Sequence, residues 1–149
     1  MKTTMLTGGL FIGPGQREES HHRQRVEEII EFLELEPWRN ELVGSLPFGI
    51  QKIVALGRGL ASEPSLLLLD EVGSGLERMG KEDLARFLLR IKHQLGTTMI
   101  WVEHDIQMVS DLTDTVTVLD YGSLVLSGPP KTVMRDNRVR EIFFGTKEE

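Results

Sequence analysis

The chain has 149 residues, 40% of them hydrophobic and 27% charged, with 17 Lys and Arg set against 23 Asp and Glu for a formal net charge of −6. That size suits one packed globular domain, and cations scattered among acids leave no basic stripe for binding nucleic acid. Without cysteine there is no disulfide framework or thiolate metal site, so the cytosol is the expected compartment; no apolar run approaches the roughly 20 residues of a membrane span, and a membrane link is expected only through a partner.

Residues 1–12 are too polar for a signal-peptide core, and the turn-rich opening through Gly13-Pro14-Gly15 predicts a loop or frayed end. From about Ser20, Val26, Ile29, Ile30 and Leu33 fall at helical spacing with Arg25, Glu27, Glu28 and Glu31 on the other face, which predicts an amphipathic helix ending before Pro37. His21 and His22 beside Glu18 and Glu19 read as a solvated face, because adjacent histidines on a helix project in different directions. After a linker over residues 38–45, Pro47 suits a helix entrance, and Ile53, Val54, Leu56, Leu60 and Ala61 predict a second helix ending before Pro64. Leu66-Leu67-Leu68-Leu69 is a continuous apolar run between polar residues, which predicts a strand buried on both faces of a parallel sheet. Residues 81–94 read as a helix with Leu84, Phe87, Leu88 and Ile91 on one face, stopped by Gly96. A strand at Thr98–Val102, with Trp101 as core, and a short helix near Ile106–Leu112 follow. Residues 115–119 and 124–126, around Asp120-Tyr121-Gly122-Ser123, predict a β-hairpin, and residues 131–144 a helical tail. The strand-helix-strand repetition sets the α/β class, with no internal repeat.

An apolar strand ending in Asp70-Glu71 is chemically informative. Neither acid serves packing, and their mutual repulsion calls for something to offset it, which a bound cation would do. Ligands in α/β sheets sit at the carboxyl ends of strands, within reach of a Mg²⁺ ion and a water. The plainer alternative is a solvated Asp-Glu pair opening a loop. The next strand also ends in polar residues, Glu103-His104-Asp105, so two strand ends are expected to converge. A lone histidine is more often a surface residue, but beside carboxylates it can donate to a phosphate. A third piece is Leu46-Pro47-Phe48-Gly49-Ile50-Gln51, where a small residue opens a helix whose first amides and positive dipole could face an anion.

In the order Gly49-Ile50-Gln51, Leu66-Leu67-Leu68-Leu69-Asp70-Glu71, Ser74-Gly75-Leu76-Glu77 and His104, the chain resembles the ABC ATPases over residues 26–145. The Leu-Pro-Phe-Gly variant, Gly128-Pro129-Pro130-Lys131 and the tail over 138–145 look most like the ATP-binding subunits of branched-chain amino acid importers. The resemblance implies the C-terminal part of a P-loop NTPase (ABC nucleotide-binding) fold, an α/β fold with a mostly parallel sheet flanked by helices. Residues 1–62 would be part of a helical subdomain, and 63–149 the later part of the ATPase core with its hairpin and helical tail. It implies ATP hydrolysis powering amino-acid import. Asp70 would be the Walker B acid holding Mg²⁺ through water, Glu71 the base polarising the attacking water, and His104 the switch histidine on the γ-phosphate. Ser74, Gly75, Leu76 and Glu77 would form the D-loop. Leu46, Pro47, Phe48, Gly49, Ile50 and Gln51 would form the signature segment, facing the nucleotide of a second ATPase subunit in a head-to-tail dimer. The other implied partners are membrane permease subunits, which would hold the chain at the inner face of the membrane.

The chain departs from that pattern. Pro47 stands where the common signature has a serine, and it offers neither hydroxyl nor N–H. Val72 replaces the usual proline, Glu77 the usual aspartate or asparagine, and Gly57 and Gly59 flank Arg58 where alanines are common. These read as relaxed constraint, each helical glycine costing roughly 1 kcal/mol. No G-x-x-x-x-G-K-[ST] loop precedes the signature. The near match from Gly75 to Glu82 puts a carboxylate where the hydroxyl belongs and reads as chance spacing. By the same resemblance, the glutamine loop and the strand leading into the phosphate loop lie outside these residues, the latter next to the strand ending at His104. Exposed strand edges and poor autonomous stability are therefore expected. Binding of ATP and Mg²⁺ would depend on a phosphate loop supplied elsewhere. The alternatives to an ATPase subunit are a non-hydrolysing docking or complementing module and a non-functional remnant.

Overall fold

Hydrophobic spacing and helix-stopping residues set most element boundaries in the computed structural model, which describes residues 14–145, with side chains from residue 19 onward. The loop expected over residues 1–12 lies outside the described residues. The chain divides between Leu67 and Leu68 into two compact units.

In the first unit, α1 (Pro14–Phe32) starts six residues before the apolar periodicity does. Pro14 and Gly15, expected in a loop, instead occupy its first turn, where proline's fixed φ suits a helix and its missing N–H costs no bond. The helix stops where Glu34 takes a left-handed φ of 58°. Two 3-10 turns, Glu36–Trp38 and Val43–Ser45, lead to α2 (Phe48–Leu60). Ile29, Leu33, Leu46, Ile53, Leu56 and Leu60 are buried in this unit. Gly57 corrects the reading of relaxed constraint. A Cβ there would lie 3.0 Å from Leu33 Cδ1 and 3.3 Å from Ile29 Cγ2, so the glycine lets α1 and α2 approach closely.

Strand β1 (Leu66–Asp70) crosses into the second unit, followed by α3 (Arg78–Arg90), which widens into a π turn at Ile91–Leu95. Leu84, Phe87, Leu88 and Ile91 are its buried face, and Gly96 stops it at a φ of 65°. Then come β2 (Thr98–Val102), α4 (Ile106–Leu112), β3 (Val116–Asp120), β4 (Ser123–Gly128), α5 (Pro130–Val133) and α6 (Asn137–Phe144). The helical tail is thus two helices, because Asp136 turns its carboxylate onto the Arg138 N–H (2.9 Å) and caps a new start. Tyr121 (φ 43°) and Gly122 (φ 78°) form a two-residue turn joining β3 to β4, with Asp120 opposite Ser123. Val116 and Val118 of this hairpin pack with Val133 and Val139 into a core of their own.

Among the described residues four strands pair as β1 with β2 and β3 with β4, the latter antiparallel. The Glu71 N–H donates to the Val102 carbonyl at 2.9 Å, so β1 and β2 end side by side and run parallel. Burial of β1 on both faces does not hold. Leu67 and Leu69 are buried, but Leu68 is 68% exposed. The Glu71–Val102 bond sets Asp70 beside Val102, so strand alternation puts Leu68, Ile100 and Val102 on one open face. Nothing among the described residues covers that face.

Replacing the fully buried Ile91 by alanine should cost about 2–5 kcal/mol in urea unfolding. The double change Ile100→Thr, Val102→Thr should alter stability by no more than about 0.5 kcal/mol per site and reduce self-association in sedimentation velocity.

Candidate functional site

The parallel pairing decides which polar residues meet. Glu71, the first residue after β1, has a φ of 45°, a region that non-glycine residues seldom adopt and that recurs at functional sites. That turn of the backbone brings Glu71 Oε1 to 3.7 Å from His104 Nδ1, and both side chains are more than half exposed. Asp70 closes β1 as an exposed carboxylate on the open face. A carboxylate and an imidazole this close at an open rim can share a water and exchange a proton.

Residues that the motif reading passed over support this rim. Glu103 was expected only as part of a polar strand end, yet its side chain is 1% exposed. Its Oε1 accepts the Gly73 N–H at 2.8 Å and its Oε2 the His104 N–H at 3.2 Å. Asp105 accepts from Lys81 Nζ at 2.6 Å and from the Met108 N–H at 3.2 Å, capping α4. The Lys81 hydrogen bond, then that of the Met108 amide, holds the Asp105 carboxyl below its ordinary 3.8, against a desolvation that raises it.

No protein-family profile matches the chain. It is 35% identical over 121 residues to the energy-coupling factor transporter ATP-binding protein EcfA2 of Clostridium perfringens, covering 81% of this chain and 42% of that protein. Against the sulfate/thiosulfate import ATP-binding protein CysA of Methylococcus capsulatus it is 37% identical over 118 residues, covering 78% and 34%. Against the high-affinity branched-chain amino acid transport ATP-binding protein BraF of Pseudomonas aeruginosa it is 27% identical over 135 residues, covering 90% and 52%. Among solved structures, the ADP conformation of MJ1267, an ATP-binding cassette of an ABC transporter, superposes with a TM-score of 0.77 at 28% identity, covering 85% of this chain and 51% of that one. The cbiO1 protein of C. perfringens, part of the transporter complex cbiONQ, gives 0.74 at 30% identity, covering 93% and 55%.

The chain belongs to the ABC ATPase family. It spans between a third and about half of the length of these curated relatives. Within this ABC ATPase chain, the segment expected as D-loop leaves Glu71 by a turn in which the Ser74 N–H donates to the Glu71 carbonyl at 3.0 Å, and it runs into α3. Gly80 and Lys81 of the near-match phosphate loop lie inside α3, with the Lys81 ammonium held by Asp105, so they form no phosphate cradle. The segment expected as signature lies in the first unit. Leu46 is buried there and its carbonyl accepts Gln51 Nε2 at 2.9 Å, while Pro47 takes the extended conformation that starts α2 and Phe48 stands exposed.

Because the folded Asp105 titrates below its unfolded value, its contribution to stability is present above an ordinary carboxylate pKa of about 3.9 and is lost as the pH falls through the lower folded value. Asp105→Asn should therefore lower stability at neutral pH and flatten the acid limb of a stability–pH curve below about pH 4, measured by urea unfolding.

Proposed function

We propose that this chain carries the catalytic-carboxylate part of an ABC transporter ATP-binding subunit, and that its site hydrolyses ATP when a phosphate-binding loop is supplied from outside these 149 residues. The observation that carries the reading is the meeting of two parallel strand ends, with Glu71 and His104 3.7 Å apart at an open rim. On this reading Glu71 polarises the water that attacks the γ-phosphorus, and the His104 imidazole hydrogen-bonds to the γ-phosphate. Asp70 is an exposed hard-oxygen donor that suits Mg²⁺, an ion that takes one or two carboxylates and keeps its waters. Among the described residues no group of three or more His, Cys, Asp or Glu could hold a metal ion. Bound Mg²⁺ would neutralise charge on those phosphates.

Residues 46–51 and 74–77 then serve the nucleotide of a second ATPase subunit in a head-to-tail dimer. The first amides of α2 have no partner within the helix and can supply what Pro47 lacks. Residues 1–62 act as part of a helical subdomain and 63–149 as the later part of the ATPase core. No helix among the described residues is long and apolar enough to cross a membrane, and on this reading permease subunits hold the chain at the cytoplasmic face. Branched-chain amino acids are the solute class we assign. The support is Leu46-Pro47-Phe48-Gly49 and the 135-residue match to BraF, although the relative named for sulfate/thiosulfate import has higher identity over fewer residues.

A second reading, a complementing module without turnover of its own, is favoured by the open face of β1 and β2. An added polypeptide would cover such a face.

Mixing the chain with a fragment carrying the phosphate loop of such a subunit should produce MgATP binding and hydrolysis, and Glu71→Gln should keep binding while lowering turnover by about 10²–10⁴-fold. Binding without turnover would support the docking module. Turnover by the chain alone that Glu71→Gln abolishes would overturn the need for a supplied loop.

A further inference from the structure

His104 sits between two acids that hold opposite ends of one segment. Glu103 takes the start of it, through the Gly73 N–H at 2.8 Å, and Asp105 takes the far end, through Lys81 Nζ at 2.6 Å. Both acids are held by hydrogen bonds within the chain, and Glu103 Oε2 also lies 3.8 Å from His104 Nδ1. Glu103 is 1% exposed and both its oxygens accept from main-chain amides, Gly73 on one and His104 on the other. Asp105 divides its oxygens between Lys81 and the Met108 amide. Hydrogen bonds to an ionised acceptor are about twice as strong as neutral ones. Gly73 is fitted to the same contact, because a Cβ there would lie 2.7 Å from Glu103 Oε1.

We propose that Glu103 and Asp105 are positioning residues that clamp the two ends of the 73–81 segment to the strand end carrying His104, so that residues 74–77 and His104 shift as one body. The use of that coupling, relaying the position of residues 74–77 to a histidine on the γ-phosphate, rests on the hydrolytic reading. The clamp itself does not.

The test is amide hydrogen exchange and imidazole NMR on the full chain without nucleotide, with the Ile91 amide as the internal reference for global opening. Glu103→Leu should raise Gly73 exchange relative to Ile91 by about tenfold, the loss of one well-made hydrogen bond, while Glu103→Gln, which keeps an acceptor, should stay within about threefold. Lys81→Met touches Asp105 and not His104, yet it should move the His104 imidazole resonances, and Gly73→Ala should move them from the other end of the segment. Unchanged Gly73 exchange in Glu103→Leu, or His104 resonances unmoved in both Lys81→Met and Gly73→Ala, would overturn the clamp. Because no ATP is present, failure of the hydrolytic reading would leave these signals in place.

Discussion

Everything at the rim depends on one register, the bond from the Glu71 N–H to the Val102 carbonyl. A parallel pair cannot be closed by a tight turn and needs a crossover, which α3 supplies here. Once that crossover packs through Leu84, Phe87, Leu88 and Ile91, the last residues of two strands must lie together, and two residues far apart in sequence become neighbours at 3.7 Å. A slip of one residue would turn Leu67 and Leu69 outward and Leu68 inward, so burial of the alternating leucines fixes the register that the polar site uses.

The two strand pairs solve the same problem differently. The hairpin of β3 and β4 closes its own core with Val133 and Val139 from the two short helices that follow, so its inner face is satisfied locally. The parallel pair is satisfied on one face only. Its open face still carries Leu68, Ile100 and Val102, residues a chain does not place in water for their own sake. The hairpin leaves Leu119 and Leu124 exposed near its turn as well, but the parallel pair also carries the partnerless Trp101 Nε1.

What could be read in advance divides along physical lines. The buried stripe of α3, its stop at Gly96, the span of α4 and the turn at Tyr121-Gly122 were legible, because each is written in local spacing or in the backbone freedom of one residue. The meeting of Glu71 with His104 was legible as convergence of two strand ends. The open face of β1 was not, since a run of leucines is compatible with one or two buried faces, and only the neighbours decide. The start of α1 was missed because Pro14 and Gly15 signal a turn and a helix entrance equally well. Gly57 was misread because its reason, the methyl groups of Leu33 and Ile29, comes from another helix. Glu103 was hardest to foresee. Its partner, the Gly73 amide, is a main-chain group 30 residues away that no side-chain motif announces.

The left-handed backbone of Glu71 closes the argument about the rim. A strained φ of 45° on a non-glycine residue persists only where its surroundings over-determine it. Here the constraints can be named. The Glu71 N–H is held by Val102, its carbonyl accepts from the Ser74 N–H, and the Gly73 N–H beyond is pinned by the buried Glu103. With its main chain fixed on both sides, Glu71 starts its side chain from the rim beside His104. Pre-set geometry of this kind spares a site the entropy of assembling its groups at the moment of use. A fourth bond reaches the histidine, because Glu103 also accepts the His104 amide N–H, so the carboxylate and the imidazole share one anchor, whose Oε2 itself lies 3.8 Å from His104 Nδ1.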